Sequence, residues 1–276
     1  MSGATDAGGT TGIRARASMV GRTVLLTGAT GHLGRVLADA FAELGATLLL
    51  VDRDAAALDE LARTLAATHG VTAEPHVTDL EDEGARTTLV SSLVARGAPL
   101  HVLVNNAAFV GTSSLAGWAE PFERQSTETW RRALEVNLTA AFDLCRGLVP
   151  VLRATPGANI VNIGSIYGEL GPDWSLYEGT SMANPAAYAA SKGGLLQLTR
   201  WLATTCAPQV RVNAVNPGGI ARGQPERFVE RYVARTPLAR MATEADLAGA
   251  VTFLASDLAS YITGQVLAGD GASSAW

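Results

Sequence analysis

Cysteine is scarce in this chain of 276 residues, which carries only Cys145 and Cys206. Both fall in helical, largely apolar stretches, so a disulfide-stapled domain is excluded and buried free thiols in a reducing compartment, the cytoplasm, are expected. The four histidines are scattered without ligand spacing, and no metal site is expected. Charged residues make up 17% of the chain, the net charge is −5, and no basic patch stands out. Neither nucleic acid nor a membrane surface suits such a chain as a partner. Residues Met1–Ser18 are rich in Gly, Ala and Thr and lack an apolar segment, so 1–18 read as a flexible N-terminal tail, neither signal peptide nor membrane anchor. Met19, just before the first strand, is a candidate natural start.

What is present is enough for one domain over 19–276, with a hydrophobic fraction of 47% to fill a sizeable core. Short β-type runs near 23–27, 47–51, 71–76, 100–104, 159–163, 211–215 and 265–268 alternate with longer amphipathic helical ones. That alternation predicts an α/β fold, a doubly wound parallel sheet of about seven strands with helices on both faces and no second domain. Ligands of such sheets bind at the carboxyl ends of the strands. Asp52, Asp79, Asn105, Ser165 and Pro217 all stand just past such ends.

The first strand, Thr23-Val-Leu-Leu-Thr27, runs into Gly28-Ala-Thr30-Gly31-His32-Leu33-Gly34 and then a helical pattern stopped at Gly45. Strand, glycine turn and helix form a dinucleotide-binding loop: glycines let backbone approach a pyrophosphate, and helix N-terminal amides receive its charge. His32 is open to two readings, a phosphate contact or a loop filler. Asp52 follows Gly28 by 24 residues, where an acid that grips the adenosine ribose is expected. A carboxylate there bonds two ribose hydroxyls and repels a 2′-phosphate, so NAD is favoured over NADP; Arg53 and Arg22 keep NADP open.

Tyr188-Ala-Ala-Ser-Lys192 places a phenol and an ammonium one helical turn apart, on one face. A free tyrosine titrates near pH 10. A cation beside the ring oxygen favours the phenolate and suits Tyr188 to proton transfer. Alone, the pair is weak, and a strand-end serine such as Ser165 would most often be a cap.

Taken in order, the glycine loop, Asp79-Leu80, Asn105-Asn106-Ala107-Ala108, Asn137-Leu138, Ser165, Tyr188 to Lys192 and Pro217-Gly218 make the chain resemble a short-chain dehydrogenase/reductase from about Val20 onward. The resemblance implies a Rossmann-type domain in a homotetramer or homodimer. It implies a catalytic set in which Tyr188 is the acid/base and Ser165 orients the substrate oxygen. Lys192 would lower the phenol's pKa and bond the nicotinamide ribose, and Asn137 would hold a proton-relaying water. Cofactor contacts carried over are Gly28, Thr30, Gly31, His32, Leu33, Gly34, Asp52, Arg53, Asp79 and Leu80. To these are added Asn105, Ala107, Tyr188, Lys192, Pro217, Gly218 and Ile220, with Asp79 near adenine and Asn105 near the adenosine ribose.

Four departures bear on function. The spacing Gly28, Gly31, Gly34 is closer to the family's extended branch, rich in epimerases and dehydratases, but the large C-terminal substrate region of those enzymes is missing. Ala108 replaces a usual glycine, and Arg222 stands where a threonine often contacts the carboxamide. Ser165 and Tyr188 are 23 residues apart, more than the family norm, so an extra loop sits beside the site. Its Trp174, Tyr177, Asp173, Glu178 and Asn184 suit a polyhydroxylated ligand, though Trp174 and Tyr177 are equally open to packing the loop or an oligomer contact; Asn184 and Pro185 are expected as N-cap and first residue of the catalytic helix. Substrate loops are thus expected at 166–184 and 219–240. Arg227, Arg231 and Arg235 read as a solvated stripe. The leading expectation is an NAD(P)-dependent oxidoreductase interconverting a secondary alcohol and a ketone on a small hydroxylated metabolite, a sugar derivative among the candidates. A redox-neutral epimerase or dehydratase with tightly held NAD is the alternative, and a cofactor-sensing binding protein the remote one.

Overall fold

The computed structural model describes residues 12–111 and 115–276. In chain order the elements are α1 (Ile13–Ala17), β1 (Thr23–Thr27), α2 (His32–Glu43), β2 (Thr47–Asp52), α3 (Ala55–His69), β3 (Ala73–Val77) and α4 (Glu83–Ala95). They continue as β4 (Val102–Asn105), α5 (Thr127–Leu134), α6 (Ala140–Ala154), β5 (Asn159–Ile163), α7 (Ala186–Cys206), β6 (Arg211–Pro217), α8 (Glu226–Ala234), α9 (Glu244–Ala255) and β7 (Val266–Gly269). All seven strands are parallel, in the order β3-β2-β1-β4-β5-β6-β7.

Aliphatic and β-branched residues on both faces explain why β1, β2, β4 and β5 sit in the middle of the sheet. Alternate residues of one strand feed opposite cores: Leu26, Leu48, Leu50 and Val104 pack with Leu37, Phe41 and Val251 of α2 and α9. Leu25, Leu49, Leu103 and Ile160 pack with Leu93, Leu148 and Leu202 of α4, α6 and α7. Helix starts are set locally. Asp54 accepts from the Ala57 amide ahead of α3, Asp82 from that of Ala85 ahead of α4, and Thr243 with Asp246 closes a capping box on α9.

Residues 1–11 of the expected tail lie outside the described residues. The remainder differs from a tail: α1 is helical, and Arg16 Nη2 donates to the Asp257 carbonyl at 2.7 Å. The catalytic helix begins one residue later than its sequence pattern suggests, with Pro185 rather than Asn184 at the N-cap. Asn184 caps nothing because its amide is buried without a partner among the described residues.

Register lines up the functional ends. Thr27 pairs Val51, Leu26 pairs Val104, Asn105 pairs Asn162, and Ile163 pairs Val215. The loops after β1, β2, β4, β5 and β6 therefore leave the sheet along one edge, where a ligand cleft is built.

Candidate active site

The glycine loop is fixed by contacts that leave no room for side chains. Gly28 has φ +64, and a Cβ there would meet the Ala107 Cα at 2.8 Å. A Cβ on Gly34 would stand 2.0 Å from the Gly28 carbonyl oxygen. Helix α2 starts behind Gly31 with no side-chain cap, so its first amides remain to receive a pyrophosphate. Asp52 closes the loop: Oδ2 accepts from the Thr30 amide at 3.0 Å and Oδ1 from the Arg53 amide at 2.8 Å. This cradle fits a nicotinamide dinucleotide, which Gly28, Gly31, His32, Leu33 and Gly34 would hold, with Asp52 and Arg53 toward its ribose.

Two expectations shift here. Arg22 is not near that ribose: it precedes β1 at the amino edge of the sheet and pairs with Asp257 at 2.5 Å. The side chain of Asn105 turns into the sheet, donating to Asn162 Oδ1 at 2.8 Å, so it is not free for a ribose. Asn106 instead reaches the loop, donating from Nδ2 to the carbonyls of Thr27 and Gly28 at 2.9 and 3.1 Å. Thr27, not singled out from sequence, joins the two strand ends, its Oγ1 accepting from the Asn106 and Ala107 amides while donating to the Val104 carbonyl. Its position directly before Gly28 was the available signal. Asp79 is exposed beyond β3 and Leu80 buried, its carbonyl held by Arg86 at 2.8 Å. Pro217 ends β6, Gly218 donates to the Gly269 carbonyl, and Ile220 bridges to Ala242.

The reacting end lies where β5 meets α7. Ser165 ends the run from β5 and accepts from the Tyr167 amide at 3.2 Å. Tyr188 is one turn into α7. Burial pushes its phenol above the ordinary tyrosine value, opposed by hydrogen bonding to the Ser165 hydroxyl and by the Arg222 guanidinium. Lys192, 2% exposed, donates to the Ile163 carbonyl at 2.7 Å, and burial brings its ammonium down to about 8. Its Nζ is 5.9 Å from the centre of the Tyr188 ring. The groups opposing burial at the phenol are thus Ser165 and Arg222 rather than the expected lysine. Arg222 is itself braced, its Nε donating to Glu244 at 2.8 Å.

Asn137 sits in one turn of π-helix, Glu135–Thr139, between α5 and α6. That bulge re-aims the side chain. Its Oδ1 accepts from the Phe109 amide at 2.6 Å, and Nδ2 donates to the Phe109 carbonyl and to Ser191 Oγ at 3.2 and 3.0 Å. Ser191 was missed from sequence although it stands inside the Tyr-to-Lys motif.

The arginine stripe is solvated only in part: Arg227 and Arg235 are exposed, and Arg231 is half-buried. Arg231 Nη1 donates to the carbonyls of Ser175 and Glu178 at 2.9 and 2.6 Å, and Arg235 pairs with Asp173. Helix α8 and the loop 166–184 are therefore one packed unit, with Leu176, Tyr177, Phe228, Tyr232 and Met241 as its core. Among the described residues no cluster of His, Cys, Asp or Glu could hold a metal ion, and no helix is long and apolar enough to cross a membrane.

A Rossmann cradle beside buried Ser165 and Lys192 and half-buried Tyr188 defines a nicotinamide-dependent oxidoreductase, and the family model described as enoyl-(acyl carrier protein) reductase matches residues 28–273. The chain belongs to the short-chain dehydrogenase/reductase family. It is 36% identical over 269 residues to galactitol 2-dehydrogenase (L-tagatose-forming) of Cereibacter sphaeroides, covering 93% of this chain and 96% of that one. A structure from Beutenbergia cavernae, described as a candidate NAD(P)-dependent gluconate 5-dehydrogenase with NADP at low occupancy, superposes with TM-score 0.84 at 36% identity over 95% of this chain and all (100%) of the other. Gluconate 5-dehydrogenase of Burkholderia cenocepacia, in complex with NADP and tartrate, gives TM-score 0.84 at 26% identity over 95% and 99% of the two chains.

Proposed function

We propose that this protein oxidises a secondary hydroxyl of a small polyol or sugar derivative, or reduces the corresponding ketone. Ser165 just past β5, with Tyr188 and Lys192 on α7 and the Lys192 ammonium bonded to the Ile163 carbonyl at that strand end, carries the reading, and the kinship with galactitol 2-dehydrogenase supports the substrate class. A nicotinamide bound at the glycine loop supplies the hydride acceptor or donor. Ser165 donates to the substrate oxygen and orients it. Tyr188 takes the alcohol proton, or gives one to the ketone oxygen. Lys192 bonds the nicotinamide ribose and places positive charge below the phenol, with Asn137 holding the α5–α6 bulge at the entry to a proton path. Substituting Tyr188→Phe tests this. Turnover is expected to fall by about 10²- to 10⁴-fold while nicotinamide affinity, read by fluorescence titration, stays nearly unchanged; retained turnover refutes the assigned role.

The finer reading is that NAD is preferred, because the Asp52 carboxylate would face a 2′-phosphate; kcat/KM with each nicotinamide decides it. The loops 166–184 and 219–240 bound the substrate pocket. Exposed Phe142 and Trp201 on α6 and α7, and Leu267 on the open edge of β7, support assembly as a homotetramer or homodimer. Light scattering at micromolar concentration that returns a monomer mass overturns this. A cytoplasmic location suits two buried free thiols, and cell fractionation tests it.

A further inference from the structure

We infer that the phenols of Tyr167 and Tyr177 form a second polar site beside the reacting centre, one that binds an uncharged hydroxyl of the substrate away from the carbon being oxidised. The inference rests on the reading of this chain as an alcohol oxidoreductase and deepens it to the groups that choose the substrate.

The two phenolic oxygens are 2.5 Å apart. Two phenols bring two protons, and one hydrogen bond between them uses one; the second proton has no acceptor among the described residues. Tyr177 is only 9% exposed and Tyr167 half-buried. A buried donor left unmet is costly, and such groups are ordinarily satisfied by protein, water or ligand. The free proton and the remaining lone pairs match a hydroxyl, which both accepts and donates.

Position ties the pair to catalysis. Tyr167 is two residues past Ser165, its amide bonded to the Ser165 oxygen. Both lie within electrostatic reach of the Tyr188 phenol, whose ionisation would push each of them up further. Burial raises both above the ordinary tyrosine value, so both stay protonated at working pH and offer hydrogen bonds, not charge. On α8, Arg231 and Arg235 are engaged with Ser175, Glu178 and Asp173 while Arg227 lies exposed against Gly179, so it is the neutrality of the two phenols that suits this site to an uncharged hydroxyl.

The pair is also held still. The Tyr177 ring packs between Trp174, 5.8 Å away, and Phe228, 5.4 Å away on α8. At the far end of the same insertion Asn184, four residues before Tyr188, is 5% exposed with neither amide atom paired among the described residues. An amide is donor and acceptor at once. The insertion thus brings three groups suited to hydroxyls, with Tyr177 anchored to α8 through Phe228.

The test compares wild type, Tyr167→Phe and Tyr177→Phe on galactitol and xylitol and on cyclohexanol, which has no second hydroxyl. Each variant is expected to raise KM for the polyols by about tenfold, with kcat changed less and cyclohexanol constants unchanged; the double variant should be no worse than either single. An equal loss on cyclohexanol, or no loss on any substrate, overturns the site and leaves the phenols a packing role. If wild type oxidises none of the three, the alcohol reading fails separately. Calorimetric titration of the nicotinamide-loaded protein with galactitol and xylitol then reports on the site alone: binding weakened by either variant sustains it, and no binding by wild type overturns it.

Discussion

The amide of Asn137 donates to the hydroxyl of Ser191 at 3.0 Å, and that hydroxyl donates in turn to the Tyr188 carbonyl at 2.8 Å. One serine thus couples the π-helical bulge to the catalytic turn of α7, immediately before Lys192. Removing it with Ser191→Ala strands a buried N–H of Asn137, so a loss of about 1–3 kcal/mol in stability is expected. Turnover should fall as the bulge loosens, by about tenfold. Denaturant midpoints and kcat measured together check this, and an unchanged pair would mean that water replaces the hydroxyl at no cost.

Lys192 makes a pH-dependent prediction for protein stripped of nicotinamide. Burial depresses its folded-state value to about 8 from 10.5. Between these values the unfolded chain binds more protons than the folded one, so this group makes stability rise with pH. Buried Cys145, pushed up to about 12, works in the opposite sense above its unfolded value. The informative quantity is therefore the difference between wild type and Lys192→Met. The wild type should gain about 2 to 3 kcal/mol on the variant between pH 7 and 10. A constant difference across that range would show the ammonium to be solvated.

Asp52 should govern the choice of nicotinamide. On the proposed placement of Asp52 at the 2′ position, Asp52→Ala removes that carboxylate and leaves Arg53 beside it, so kcat/KM should move toward NADP by at least about tenfold. The Thr30 amide loses its acceptor as well. Affinity for both nicotinamides should then drop somewhat, and a ratio that does not move would place discrimination elsewhere.

Much of this was legible in the residues. A parallel sheet of about seven strands follows from the alternation of apolar runs with helices, and the strand-end positions of Asp52 and Ser165 follow from the runs themselves. What escaped depended on distant partners. Asn105 and Asn106 are adjacent and chemically identical, and only the pleat of β4 decides that the first points into the sheet and the second to the glycine loop. Arg231 and Arg235 look solvated on a helix read alone because their partners, the Ser175 and Glu178 carbonyls and Asp173, lie more than fifty residues earlier. Periodicity is likewise blind to the π-turn at Asn137, since one extra residue in a turn barely disturbs a helical pattern.

The three glycines of the loop should not respond alike to alanine. At Gly34 the new methyl would lie 2.0 Å from the Gly28 oxygen and 2.9 Å from the Ala29 backbone, so α2 must move away from the strand end. At Gly28 the backbone sits at φ +64 and the methyl would meet the Ala107 backbone at 2.8 Å, adding strain to a clash. At Gly31, φ is −68 and the closest atom is the Gly28 oxygen at 3.3 Å, which a small shift accommodates. Nicotinamide affinity should therefore fall by at least about tenfold in Gly34→Ala and Gly28→Ala and by much less in Gly31→Ala. Fluorescence titration of the three variants gives the order directly. If Gly31→Ala were the most damaging, the middle glycine would be touching the dinucleotide itself, and the pyrophosphate would sit deeper in the turn than the first amides of α2.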